Sequence, residues 1–286
     1  MKHKILFTLL IICLFSFNPK KEHIPRLGMI ASLDQDSLLY ASGFHMLGES
    51  VGRILSPSLT DEQFAQNIER IKNARCKVAL CNIFFPGKMK IAGPEVDEQQ
   101  VLTYAEAVLK RAQKAGVPWI VLGSGGSRRL PDGYDQKKAT DDFIVLCRKL
   151  AVIAKKYEVM IVLESLETAE TNFLLTLKSA AEVVRAVNHP NFRLNADIFH
   201  MLRESESPQS IIDAQDVLVY CEIAEKEKRS LPGVMGDDFK PYLRALRKAN
   251  YKGDIFIEGN TKNPQVEVPA SFVYLIKQVE EVYAEK

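Results

Sequence analysis

Four carboxylates stand at the ends of apolar runs in the second half of the chain. Val159-Met160-Ile161-Val162-Leu163 leads into Glu164, Phe192-Arg193-Leu194-Asn195-Ala196 into Asp197, Val217 to Tyr220 into Cys221-Glu222, and Asp254-Ile255-Phe256-Ile257 into Glu258. One such acid is often no more than the start of a loop. Four in succession, about 25 to 36 residues apart, predict a shared rim. That rim offers hard oxygen ligands and no thiolate, a donor set suited to Mn²⁺ or Mg²⁺ rather than Zn²⁺. One divalent ion against four carboxylates leaves two negative charges. Either a cation such as Arg229 sits beside them, or one glutamic acid keeps its proton and works as an acid. His200, three residues past Asp197, falls near the same rim as a candidate substrate contact.

The elements that must position these acids follow from the spacing, which is the length of one strand-loop-helix-loop unit. Further strands are predicted at Leu27–Ser32, at Phe44–Gly48 leading to Glu49, at Lys77–Asn82 and at Val117–Leu122. Thr60-Asp61-Glu62-Gln63 offers a capping box for a helix reaching about Ala74, and Gly116 suits the C-cap of a helix from Asp97 to Ala115. Later helices are expected at Ala139–Tyr157, Thr176–Asn188, Pro208–Asp216, Asp238–Ala249 and Ala270–Glu285. Strict alternation means a parallel sheet with helices outside. Eight units in one domain over residues 25–286 predict closure into a (β/α)8 TIM barrel, whose site lies at the C-terminal ends of the strands. Gly123-Ser124-Gly125-Gly126-Ser127 follows the fourth strand but lacks a P-loop lysine, and reads as a tight turn that lets backbone approach substrate. Arg128 and Arg129 after it either contact an anionic or polyhydroxyl ligand or belong to a solvated loop.

Composition sets the bounds. Hydrophobic residues make up 47% and charged residues 26% of 286, with a net charge of +2. That describes an ordinary globule with no basic face for nucleic acid. Met1-Lys2-His3-Lys4 followed by the apolar run Ile5 to Phe17 has the build of a signal peptide or lipoprotein leader over residues 1–22, too short to make an integral membrane domain. The protein is therefore expected outside the cytoplasm, periplasmic or lipid-anchored. Cys13 is the lipidation candidate, although Ile11-Ile12 is bulky before it. Cys76, Cys81, Cys147 and Cys221 lie mostly in or beside apolar runs and read as core residues, not disulfides. No zinc spacing and no Ser/His/Asp arrangement stands out. Exposed barrel helices would suit pairing into a homo-oligomer.

At the acid-bearing segments the chain resembles the sugar phosphate isomerase/epimerase family, the xylose isomerase-like barrels that include ketose 3-epimerases and are related to AP endonuclease barrels. The likeness runs from about Arg26 to Asn260. It is most specific in Leu163-Glu164 with Glu170 six residues on, in Asp197-Ile198-Phe199-His200-Met201, in Arg229-x-x-Pro232-Gly233 and in Ile257-Glu258. The resemblance implies that Glu164 and Glu258 bind the metal and act as the paired acid and base, and that Asp197 is a ligand. It also implies that His200, Arg229 and Glu170 meet the substrate, a small carbohydrate. The seventh strand departs from the pattern, since family members commonly carry His-x-His there. Period-2 alternation points Tyr220 and Glu222 the same way and puts Glu222 in the ligand slot. Tyr220 and Glu49 complete the expected substrate contacts. The chemistry fits independently: moving a proton beside a carbonyl needs a base, a second acid or base, and a cation to stabilise the enediolate. The expectation is an exported metal-dependent isomerase or epimerase. The alternatives are a lyase or hydratase acting on 3-keto-glycosides or keto-sugars through the same enolisation, and a barrel that binds sugar without turnover. A phosphodiesterase of the AP endonuclease kind would want more metals, more histidines and a basic face.

Overall fold

The eight apolar runs become eight parallel strands in the computed structural model, which describes residues 23–285. They are β1 (Leu27–Ile30), β2 (Met46–Ser50), β3 (Lys77–Asn82), β4 (Trp119–Leu122), β5 (Met160–Glu164), β6 (Phe192–Asp197), β7 (Leu218–Ile223) and β8 (Ile255–Ile257). Each pairs with the next, and β1 closes on β8 through Leu27 to Ile255 and Met29 to Ile257. The closed single-domain barrel is the expected fold. The leader expected at residues 1–22, with Cys13, lies outside the described residues. Among the described residues no helix is long and apolar enough to cross a membrane.

Alternation along the strands makes two cores. Ile161, Leu163, Leu194, Ala196, Cys221 and Ile223 face outward under the helices, while Met46, Leu80, Val121, Val162, Tyr220 and Phe256 form a separate cluster in the lumen. Phe256 lies so close to β1 that a Cβ on Gly28 would stand 2.4 Å from its ring, so only glycine fits there. Burying a side chain of this size contributes roughly 1.5–3 kcal/mol. Cys76, Cys81, Cys147 and Cys221 are buried and unpaired, as expected of small core residues.

The helix Asp61–Asn73 opens with the expected capping box. Gln63 N donates to Thr60 Oγ1 at 3.2 Å and Thr60 N to Gln63 Oε1 at 2.9 Å. Gly116 closes Glu98–Ala115 with φ 70°. Other boundaries move for local reasons. The helix expected from Ala139 starts at Gln136, because Asp135 accepts the N–H groups of Lys137 and Lys138. The last helix begins at Pro264, six residues before Ala270, and carries Pro269 inside it. Pro264 at the first position has a fixed φ that suits a helix start, whereas Pro269, at the sixth, forgoes the one bond its missing N–H would make. Gln209–Asp213 and Lys240–Lys248 are shorter than their apolar patterns. The first repeat is abbreviated to the turn Leu33–Gln35 and the helix Asp36–Ala41.

Candidate active site

Strand register gathers the acids. Glu164 and Asp197 are the last residues of β5 and β6, Glu222 is one residue short of the end of β7, and Glu258 follows β8 directly. Asp197 pairs across with Glu222, and Glu164 with Asn195. One carboxylate oxygen from each of Glu164, Asp197, Glu222 and Glu258 lies within 4.8 Å of the others.

Hydrogen bonds fix each acid differently. Glu222 is fully buried; its Oε1 accepts the Tyr220 hydroxyl at 3.1 Å and its Oε2 accepts Asn195 Nδ2. Asn82, the last residue of β3, donates Nδ2 to Glu258 Oε1. Asp197 caps the helix Ile198–Arg203, accepting Phe199 N at 2.8 Å on Oδ1 while Oδ2 faces the cluster. Arg229 is the cation that the charge count calls for. Its Nη2 bridges Asp197 Oδ2, at 3.1 Å, and Glu258 Oε2; its Nη1 reaches Glu170 Oε1 at 3.1 Å; its Nε donates to the Glu258 carbonyl at 3.1 Å. The guanidinium also lies 4.6 Å from the centre of the Phe199 ring.

The charge balance shows in the acids. Burial first, then Asp197 and Glu258, hold the Glu164 carboxyl well above the usual carboxylate range. Burial followed by Glu258, Glu164 and Asp197 does the same to Glu222. For Glu258 burial also raises, while Arg229 pulls back down and Asp197 pushes up, and the net remains upward. Burial works against the Arg229 charge, but Glu258, Asp197 and Glu164 outweigh it and raise the guanidinium further.

His200 is 1% exposed. The Glu167 N–H donates to its Nδ1 at 3.1 Å, so the ring proton sits on Nε2. Nε2 lies 3.4 Å from Asp197 Oδ2 and 3.5 Å from Glu164 Oε1. It faces the acids as a donor, not as a free lone pair, which argues against a Glu164–Asp197–His200 ligand set and for the four carboxylates. Several buried polar atoms around them have no partner: Glu164 Oε1, His200 Nε2, Asn82 Oδ1 and Asn195 Oδ1. Buried polar atoms without partners are rare. An all-oxygen donor set with unmet acceptors and net negative charge fits a hard divalent cation.

The sequence-predicted residues separate here. Glu164, Asp197, Glu222, Glu258, His200, Arg229 and Glu170 come together. Glu49 does not: it is buried on the outward side of β2, and its carboxylate is engaged by Leu33 N and Ser50 N, both at 2.9 Å, and by Arg53 Nε at 3.3 Å. Tyr220, expected to meet substrate, is 1% exposed and supports Glu222 from below. Arg128 belongs to no solvated loop; it is fully buried with all three guanidinium nitrogens unpartnered, and burial lowers its pKa to about 10 against the pull of Glu164. Arg129 donates to the Ala169 carbonyl at 3.3 Å. The turn after β4 includes the short helix Gly125–Arg128, and a Cβ on Gly123 would fall 2.2 Å from Glu164 Oε2. Glycine there makes room for the acid itself. Asn82, Asn195 and Glu225 were missed by sequence reasoning. Asn195 had a signal, since period-2 alternation puts it on the face of Asp197.

A cavity of about 1040 Å³ opens at the other end of the barrel, where Leu27, Met46, Trp119, Tyr220 and Phe256 line it. It touches none of the four acids. The site is placed by the chemistry at the C-terminal rim, in keeping with barrels of this kind.

Comparison with known proteins bears on the fold and the family. The ketose 3-epimerase of Arthrobacter globiformis is 32% identical over 97 residues, covering 34% of this chain and 33% of the relative. The chain spans between 33% and 61% of the length of the first curated relatives it matches. Among solved structures, an L-ribulose 3-epimerase superposes with a TM-score of 0.77 at 18% identity, covering 90% of this chain and 95% of that one. The apo form of a 3-keto-D-glucoside 4-epimerase from E. coli gives 0.75 at 19%, covering 88% and 99%. At these identities the structural likeness is one of fold. The model of the xylose isomerase-like TIM barrel matches residues 41–277, and the chain belongs to that family.

Proposed function

We propose that the chain is an isomerase or epimerase that shifts a proton at the carbon next to the carbonyl of a ketose or keto-glycoside. The observation that carries this is the meeting of Glu164 and Glu258 in one cluster, beside the donors His200 Nε2–H and Arg229. One glutamate takes the proton and the other returns it. Arg229 and His200 hold the carbonyl and hydroxyl oxygens of the sugar, and Glu170 keeps Arg229 in place. A hard divalent ion, Mn²⁺ or Mg²⁺, held by Glu164, Asp197, Glu222 and Glu258 would supply the positive charge that offsets the oxyanion.

An unphosphorylated substrate fits this rim best. Like charges a few ångströms apart repel by roughly 1 to 4 kcal/mol, and the arginines that could gather a phosphate are otherwise engaged: Arg128 is buried, Arg129 donates to the Ala169 carbonyl, and Arg229 is bonded to Asp197, Glu258 and Glu170. The leader at 1–22 places the protein outside the cytoplasm in this reading, where sugar phosphates are scarce. The second reading, lyase or hydratase chemistry on 3-keto-glycosides, draws on the likeness to a 3-keto-D-glucoside 4-epimerase. It shares the enolisation step. The retained Glu164 and Glu258 pair weighs against a non-catalytic barrel.

The test is a screen of free ketoses, their phosphorylated counterparts and 3-keto-glycosides, run in D₂O. Deuterium entering the carbon beside the carbonyl is expected with a free ketose or keto-glycoside. Turnover without it would reject enolisation, and consistently higher kcat/KM for phosphorylated sugars would reject the substrate class. Net elimination or hydration confined to keto-glycosides would select the second reading.

A further inference from the structure

We propose that Glu225 is the positioning residue that sets Arg229 in the site. Glu225 lies two residues past the end of β7 and is fully buried, and among the described residues no ion pair to a lysine or arginine is formed by it. Its two carboxylate oxygens instead accept from five donors on the segment that follows. Ser230 Oγ donates at 2.9 Å, Gly233 N at 2.7 Å, Met235 N at 2.5 Å, Gly236 N at 2.8 Å and Asp237 N at 3.2 Å. The segment wraps around it.

That wrapping dictates the approach of Arg229. Glu225 N donates to the Ser230 carbonyl at 2.9 Å, closing residues 225–230 into a loop with Arg229 near its end. Lys228 and Arg229 have φ of 61° and 50°. Residues other than glycine enter this left-handed region in succession only where surrounding contacts impose it. On the outer side Asn260 clamps the same two residues, its N donating to the Arg229 carbonyl at 2.6 Å and its Nδ2 to the Lys228 carbonyl at 3.0 Å. Glu225 inside and Asn260 outside therefore leave the guanidinium one direction, toward Asp197, Glu258 and Glu170. The effect on turnover rests on the function proposed above; the placement of Arg229 does not.

The experiment reads that placement first by exchange. In the full protein, the Arg229 Nε–H, identified by its loss in Arg229→Lys, is expected to be protected by its bond to the Glu258 carbonyl. Glu225→Gln should speed its exchange about tenfold or more, together with the amides of Gly233, Met235 and Gly236, while amides of β5 keep their rates. If the loop amides open and the Arg229 signal keeps its wild-type rate, Glu225 is only a local staple and the proposal fails; it fails equally if neither changes. Ser230→Ala, which removes one of the five donors, gives the same reading in weaker form should Glu225→Gln not fold. With a turned-over sugar, Glu225→Gln should raise KM more than it lowers kcat and add little in an Arg229→Ala background. Additive losses in that cycle would overturn the proposal. Absence of turnover with every sugar would sink the function and leave the exchange result to stand alone.

Discussion

The Tyr220 hydroxyl donates to Oε1 of Glu222 at 3.1 Å from two residues down the same strand. With Asn195 at the other oxygen, a fully buried acid is held by two neutral donors and no cation of its own. Neutral donors orient a carboxyl without supplying an opposite charge, so ionising Glu222 adds a negative charge that nothing beside it offsets, in keeping with its raised pKa.

The first consequence concerns metal. Excess Mn²⁺ or Mg²⁺ should raise the melting temperature of protein stripped of metal, by an amount equivalent to about 2.7 kcal/mol at a hundred times Kd. Glu222→His should keep binding, and Glu222→Ala should weaken it tenfold or more as read by calorimetry. A wild-type melting temperature that ignores both ions rejects the four-carboxylate ligand set.

The second concerns pH in the absence of metal. Glu164 and Glu222 have folded-state pKa values raised above the ordinary 4.5. Between that value and their raised ones the folded protein holds more protons than the unfolded chain, so their contribution falls as pH rises. It is complete below pH about 4.5 and lost as pH rises through their raised folded-state values. Glu222→Gln can accept from Asn195 on its oxygen and donate its Nε2 to the Tyr220 hydroxyl, so both contacts survive with one of them reversed. It should flatten this decline and stabilise the metal-free protein near pH 7 by about 1 to 3 kcal/mol. Urea unfolding of both proteins across pH checks it; parallel curves for the two would refute the raised Glu222.

Much of this site was legible in the residues because its information is local. An apolar run ending in an acid states both where a strand lies and which end carries the charge, and register does the rest for Glu164, Asp197 and Glu222. Glu49 follows the same local pattern and yet turns outward, because it lies three residues past the lumen-facing Met46 and so shares the face of Leu47; which parity of β2 faces the lumen is set by how the barrel closes, not by the run itself. Arg128 and Glu225 were opaque for another reason. Whether a charged residue after a strand is solvated or buried depends on partners far along the chain, and for Glu225 those partners are mostly backbone N–H groups, which every sequence has.

The third prediction is for Gly123. Its replacement by alanine places a methyl group 2.2 Å from Glu164 Oε2, so the acid must move. Overpacking of this kind costs about 1–3 kcal/mol, and misplacing a reacting group by about 1 Å lowers kcat roughly a hundredfold. Stopped-flow or steady-state rates with the substrate identified in the screen measure it. A variant with wild-type kcat would mean that Glu164 does not need its present position.

The fourth tests Arg128. Its three guanidinium nitrogens are buried without partners, so Arg128→Met, which keeps the stem, should leave stability within about 1 kcal/mol or increase it. Arg128→Ala, which adds a cavity, should cost about 2–5 kcal/mol. If the methionine variant loses as much as the alanine one, the guanidinium charge itself holds this region together.

Closure of β1 on β8 gives the barrel a particular dependence on synthesis. The edge of β1 that faces away from β2 finds its partner in Ile255–Ile257, so a ribosome or a translocation pore releases that edge of the first strand long before the residues that cover it. Through most of its emergence the nascent chain carries an open strand edge, the feature that invites pairing with other chains. A helper that shields such edges would find its substrate at Leu27–Ile30 until Ile257 arrives.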